Sequence, residues 1–151
     1  GIAREEASAY IKKYFERFPG IRAYMDQTRD FCRAHGYVET LFGRRLYLPD
    51  IRSRNPDSRH AAERTAINAP MQGSAADIIK RAMIGVDQWL RGDEVPACMV
   101  MQVHDELVFE VREDVVAEVT ARVRALMSGA AGLEVELVVD VGTGCNWDEA
   151  H

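Results

Sequence analysis

The chain has 151 residues, 47% of them hydrophobic, which suits one modest core and hence one domain. A formal charge of −5 argues against a uniformly basic nucleic-acid binder, but phosphate recognition needs only a local basic surface. Arg44, Arg45, Arg52, Arg54, Arg59 and Arg64 supply one, opposed by Asp50, Asp57 and Glu63. The cysteines, Cys32, Cys98 and Cys145, are odd in number and lack metal-ligand spacing. That argues against a disulfide framework or a zinc site and for a reducing compartment. No apolar run approaches the length needed to span a bilayer. The chain opens at Gly1 with no initiator Met and enters a helical pattern almost at once, which a processed natural N-terminus would also show and which a truncated parent fits at least as well.

Taken in chain order, Ala7, Tyr10, Ile11, Tyr14, Phe15 and Phe18 recur at helical spacing and predict an amphipathic helix over residues 2–18. Pro19-Gly20 is expected to stop it, Gly20 taking a left-handed turn. A second helix, with Ile21, Tyr24, Met25, Thr28, Phe31 and Cys32 inward, ends at Gly36. Residues 37–48 then read as a short hairpin with Gly43 at its turn, and residues 49–58 as a polar, Arg-rich loop.

Helix resumes near Asp57 and Ser58, both competent N-caps. Pro70 and Gly73 predict a kink or break, after which Ser74 and Asp77 re-cap a helix burying Ile78, Ile79, Ala82, Met83, Val86, Trp89 and Leu90. Two β-prone runs, 98–103 and 107–111, flank His104-Asp105-Glu106 as a tight hairpin. Asp114 is expected to cap a helix over residues 115–127, and residues 133–141 to form a last strand. The order implies an α+β layer, with helices on one face of a small antiparallel sheet.

The most informative string is MQVHDELVFEV at 101–111. Adjacent acidic residues at the apex of an apolar hairpin repel each other and are poor strand formers. A rigid tip presenting a carboxylate is instead suited to Mg²⁺, which takes one or two carboxylates together with substrate phosphates. The pattern is equally compatible with Asp105 and Glu106 as solvated turn residues, and a lone His104 is more often structural than catalytic. Arg64, Asn68 and Gln72 recur every four residues along one helix face, drifting roughly 40° per step. All three can donate to the purine N3 and pyrimidine O2 acceptors that every base pair shows in the minor groove. A solvent-facing polar stripe is the plainer reading of that spacing.

Together these strings resemble family A DNA polymerases. The HDE tip at 104–106 is similar to the family's third polymerase motif. GYVETLFGRR at 36–45 with LPDI at 48–51 resembles the segment between fingers and palm. AERTAINAPMQGSAADII at 62–79 resembles the long palm helix that faces primer and template, and VGTGCNWDEAH at 141–151 the family's C-terminus.

The resemblance implies a bacterial, cytoplasmic, nucleoid-associated DNA polymerase of right-hand fold, with fingers and connection over residues 1–60 and palm over 61–151. It implies Asp105 as a catalytic metal ligand, Glu106 as a supporting carboxylate and His104 near the primer terminus. Arg64, Asn68 and Gln72 would contact the terminal base pair and nearby minor groove, and Arg59 the template backbone. The cofactor implied is Mg²⁺ in a two-metal site; the partners are primer–template DNA, deoxynucleoside triphosphates and the preceding part of the polymerase. Nothing in the chain matches the family's first palm motif or its nucleotide-binding fingers helix, so the chain is expected to be inactive alone. Two other readings stand beside this one: a metal-dependent nuclease or phosphohydrolase using Asp105 and Glu106, and a non-catalytic DNA- or protein-binding module using the Arg-rich stretch.

Overall fold

The computed structural model describes residues 3–150; the expected helix start at residue 2 and His151 of the terminal string lie outside the described residues. Helix α1 (Arg4–Arg17) passes through Phe18 directly into α2 (Pro19–His35). The expected left-handed turn at Gly20 does not form. Pro19 is instead the first residue of α2, a place where its missing N–H has no helical partner to lose and its fixed φ is already helical. Gly20 therefore lies within the first turn. α1 buries no residue. Tyr14 packs on Phe15 and Phe18, the Arg22 guanidinium lies 4.3 Å from the Phe15 ring centre, and Tyr10 and Ile11 of the predicted inner face stay exposed.

α2 ends at Gly36 as expected, the glycine holding φ 81° and its N–H bonding to the Cys32 carbonyl. Strands β1 (Tyr37–Glu39) and β2 (Arg45–Tyr47) pair antiparallel, Tyr37 opposite Tyr47, around a turn with Gly43 at φ 79°. The segment after β2 is more than a loop. Pro49–Arg52 forms a 3-10 turn that drives Ile51 into the core. The Arg52 guanidinium donates to the Arg33 and Ala34 carbonyls at 2.6 and 2.7 Å, satisfying acceptors that the end of α2 leaves open. Cys32, Val38, Ile51, Ala62 and Ala66 make the core here.

Helix α3 (Pro56–Gly92) is capped two residues before Asp57: Asn55 Oδ1 accepts the Asp57 N–H at 2.9 Å, and Pro56 follows the cap. The expected break between Pro70 and Gly73 does not occur, nor does re-capping by Ser74 and Asp77, for α3 continues to Gly92. The Ser74 hydroxyl donates to the Pro70 carbonyl one turn back, which is how a serine sits inside a helix rather than at its start.

The chain divides into two units between Ser74 and Ala75. In the second, β3 (Ala97–Val103) and β4 (Glu106–Val111) form an antiparallel hairpin with a bulge between Met99 and Met101. One face packs Met99, Phe109 and Val111 against Val86 and Leu90 of α3 and Val119 and Val123 of α4 (Val116–Ser128). This is the expected layer of helices on one face of a small sheet, each fully buried valine contributing on the order of 1.5–3 kcal/mol.

Two expectations fail here. Asp114 does not cap α4: it sits in a 3-10 turn (Glu113–Val115) and pairs with Arg112, whose hydrogen bonds hold its carboxyl below the usual range. Residues 133–141 form no strand, since a strand needs a hydrogen-bonding edge and none among the described residues pairs with them; Val135 and Val138 stay exposed. The chain closes with α5 (Trp147–Ala150), where Asn146 Oδ1 accepts the Glu149 N–H and Glu149 reaches back to the Cys145 N–H.

Arg33 ties α2 to α3, donating to Asp30 at 2.9 Å and Glu63 at 2.6 Å. The Arg33 hydrogen bond and charge hold the Glu63 carboxyl below the usual carboxylate range. Its folded pKa thus lies under the unfolded one, so this stabilisation is present above about pH 4.3 and is lost as pH falls through the folded value. Glu63→Gln is expected to lower stability by about 1 kcal/mol at pH 7. Urea midpoints of the two proteins, measured across pH, will converge in acid.

Candidate functional site

Strands β3 and β4 pair up to Val103 opposite Glu106, so the chain must reverse within His104 and Asp105. Two-residue hairpin turns need positive φ at a central position, which is why Gly or Asn usually occupies it. Here His104 takes that conformation, at φ 51°, a strain of about 1–3 kcal/mol for a residue with a Cβ. The Gln102 side-chain amide donates to the His104 carbonyl and braces the turn. His104 and Asp105 are both exposed at the apex.

Glu106 is not beside Asp105 on the tip but opens β4, half-buried opposite Val103. Cross-strand partners share a face, and Met99 with Phe109 faces the helices. The bulge shifts the register, so that Gln102 lies opposite Leu107 on that same face, while Val103 and Glu106 share the other. Without the bulge, Gln102 would face away from the helices. Among the described residues no three His, Cys, Asp or Glu side chains cluster as a complete metal site would require.

On α3, Arg64, Asn68 and Gln72 are all exposed, whereas Ala62 and Ala66 are buried. At about 100° per residue these sets lie on opposite sides of the helix, so the stripe read from the spacing is a solvent-facing row of donors. Arg59 stands apart from it. It is half-buried, and its Nη1 donates to the Ser53 carbonyl at 3.0 Å.

Behind the stripe, the turn that joins β1 to β2 docks on α3. The Leu41 N–H donates to Ser74 Oγ at 2.9 Å, and Arg44 Nη2 to the Gly73 carbonyl at 3.1 Å. A Cβ on Gly73 would lie 2.7 Å from Thr40 Cγ2. Thr40 Oγ1 in turn accepts the Phe42 and Arg44 N–H groups. Tyr24 of α2 adds a bond from its hydroxyl to the Ile67 carbonyl at 2.9 Å. Sequence reasoning missed Thr40 and Gln102, read Ser74 as a helix cap, and counted Arg44 only as charge. The available signal was Gly73, a residue without a side chain inside a helical pattern, which marks close approach of another chain segment.

The sequence model described as DNA polymerase family A matches residues 1–149. A DNA polymerase I of Pseudomonas aeruginosa is 62% identical over 151 residues, which are 100% of this chain and 16% of that protein. One from Streptococcus pneumoniae is 53% identical over 150 residues, 99% of this chain and 17% of its own length. A thermostable DNA polymerase I of Thermus filiformis is 49% identical, over 99% of this chain and 18% of its own length. Among solved structures, the POL domain of Pol1 from M. smegmatis, in complex with DNA primer-template and dNTP, matches with a TM-score of 0.96 and 49% identity, over 99% of this chain and 26% of that one. The chain therefore spans about a sixth of the length of the curated relatives it matches.

The strained tip makes a direct prediction for thermal unfolding. His104→Gly, which relieves the positive φ, is expected to melt at or above the parent temperature. His104→Val, branched at Cβ, is expected to lose about 1–2 kcal/mol.

Proposed function

This chain belongs to DNA polymerase family A, and on that premise we propose that it carries part of the catalytic centre of a DNA-directed DNA polymerase. The observation that carries the reading is the hairpin that ends in an exposed Asp105 on a braced two-residue turn. A carboxylate so held is suited to fixing a cation in place with little reorganisation of the ligand. The reaction is transfer of a nucleotidyl group from a deoxynucleoside triphosphate to a primer 3′ end. The primer 3′ hydroxyl gives up its proton and its oxygen bonds to the α-phosphorus as the bond to pyrophosphate breaks, and pyrophosphate leaves.

Asp105 supplies one oxygen-donor group for Mg²⁺, which fits a cation that completes its shell with further ligands and substrate phosphates. When bound, the metal activates the attacking oxygen and stabilises the leaving one. Glu106, at the adjoining strand position, is assigned as a supporting carboxylate, and His104, at the apex, to the neighbourhood of the primer terminus. The remaining carboxylate of a two-metal centre and the groups that bind the triphosphate would come from the rest of the polymerase. We assign residues 1–60 to the fingers and their connection and 61–151 to the palm.

Arg64, Asn68 and Gln72 present a row of donors from one helix face. Such a row can hydrogen-bond the acceptors common to every base pair in the minor groove, testing pair shape without reading sequence. Arg59, anchored at Ser53, is assigned to the template backbone. The cellular place consistent with this role is the bacterial cytoplasm, at the nucleoid.

In the polymerase that carries this chain, Asp105→Ala is expected to lower kcat by at least about a thousandfold, since it removes a metal-binding carboxylate. Primer binding, read by fluorescence anisotropy, should persist. A variant that still extends primers at the parent rate would sink the assignment. Mg²⁺-dependent DNA cleavage by the isolated chain would favour the nuclease reading instead.

A further inference from the structure

We propose that the turn between β1 and β2 is a fidelity device, in which Thr40, Arg44, Gly73 and Ser74 act as positioning residues for Gln72. The inference rests on the minor-groove role assigned to Gln72 above. Pro70 deprives α3 of a backbone donor one turn before Ser74, in the part of the helix that also carries Gln72. A helix with a missing bond is free to bend or slide locally, and a side chain on it would lose its aim. The turn prevents this by gripping the same stretch from outside.

The grip is directional. Its contacts fall on Gly73 and Ser74, and the Ser74 hydroxyl in turn bonds to the Pro70 carbonyl. At about 100° per residue these cluster on one side of the helix, roughly 150° from Gln72. The turn therefore braces the side behind the exposed donor and leaves its front open. Two of the three contacts are hydrogen bonds from the turn, Leu41 N–H to the Ser74 hydroxyl and Arg44 to the Gly73 carbonyl. The third is steric: Thr40 Cγ2 occupies the space that a Gly73 Cβ would need, 2.7 Å away. Gly73 lies within α3 and does not hold a positive φ, so a glycine is needed there for space rather than for backbone freedom.

The test uses the polymerase that carries this chain and reads the ratio of kcat/KM for matched over mismatched primer termini. Gly73→Ala, which sets a methyl against Thr40, is expected to lower that ratio roughly tenfold, since small misplacements of a positioning group carry large kinetic effects. Thr40→Ser removes the colliding methyl and keeps the hydroxyl. Combined with Gly73→Ala it restores the ratio. Ser74→Ala lowers the ratio, while Ser74→Thr, which keeps the hydroxyl, preserves it. Circular-dichroism melting of each variant separates these effects from loss of fold.

A parental ratio in Gly73→Ala, or a lowered one that Thr40→Ser fails to restore, overturns the inference. Gln72→Ala separates it from the reading beneath. Unchanged discrimination there rejects the minor-groove role and this inference with it. A lowered ratio in Gln72→Ala beside an unaffected Gly73→Ala rejects the inference alone.

Discussion

A proline in the interior of a helix removes a hydrogen bond and crowds the carbonyl one turn back, at a cost of about 3 kcal/mol. Pro70 does this inside a helix of 37 residues that nonetheless continues. The surroundings that offset the loss are specific: the Ser74 hydroxyl on the Pro70 carbonyl, the Thr40–Arg44 turn on Gly73 and Ser74, and the Tyr24 hydroxyl on Ile67. Much of the first unit is arranged around that stretch. β1 and β2 carry the turn, and Tyr24 of α2 reaches the same segment.

The basic stretch reads differently once its partners are known. Arg44 donates to Gly73, Arg45 to Glu39, Arg52 to the end of α2 and Arg59 to Ser53. Each of these four guanidinium groups is held by a carbonyl or carboxylate of the same chain. Such fixing removes side-chain entropy in advance, which lowers the entropic cost of any later contact. It also means that a run of arginines is not by itself a measure of phosphate affinity, because part of its donor capacity is used within the fold.

The hairpin tip shows a second kind of constraint. A Gly or Asn would relieve the positive φ at His104. The chain keeps a histidine there, beside an exposed aspartate, and braces the turn from Gln102. Strain held at an apex by its surroundings is a common companion of function, and the β-bulge that turns Gln102 toward the helices belongs to the same arrangement.

The sequence by itself determined the local elements whose signals are local. Gly36 ended α2, Gly43 turned the first hairpin, and the apolar period of Ala82, Val86 and Leu90 set a buried face. It also determined the exposed row Arg64, Asn68 and Gln72, because helical spacing fixes which residues share a side. It misread Gly20, Asp57, Pro70, Ser74, Asp114 and residues 133–141. In these cases the outcome turned on which partner a backbone or side-chain group would find: Asn55 as the actual cap of α3, Leu41 for Ser74, Arg112 for Asp114, and no described edge for the last segment. Propensity and capping rules rank what a residue can do alone. Only the tertiary structure decided what it does, since a hydrogen-bond partner more than thirty positions away, as Leu41 is from Ser74, leaves no mark on the local pattern.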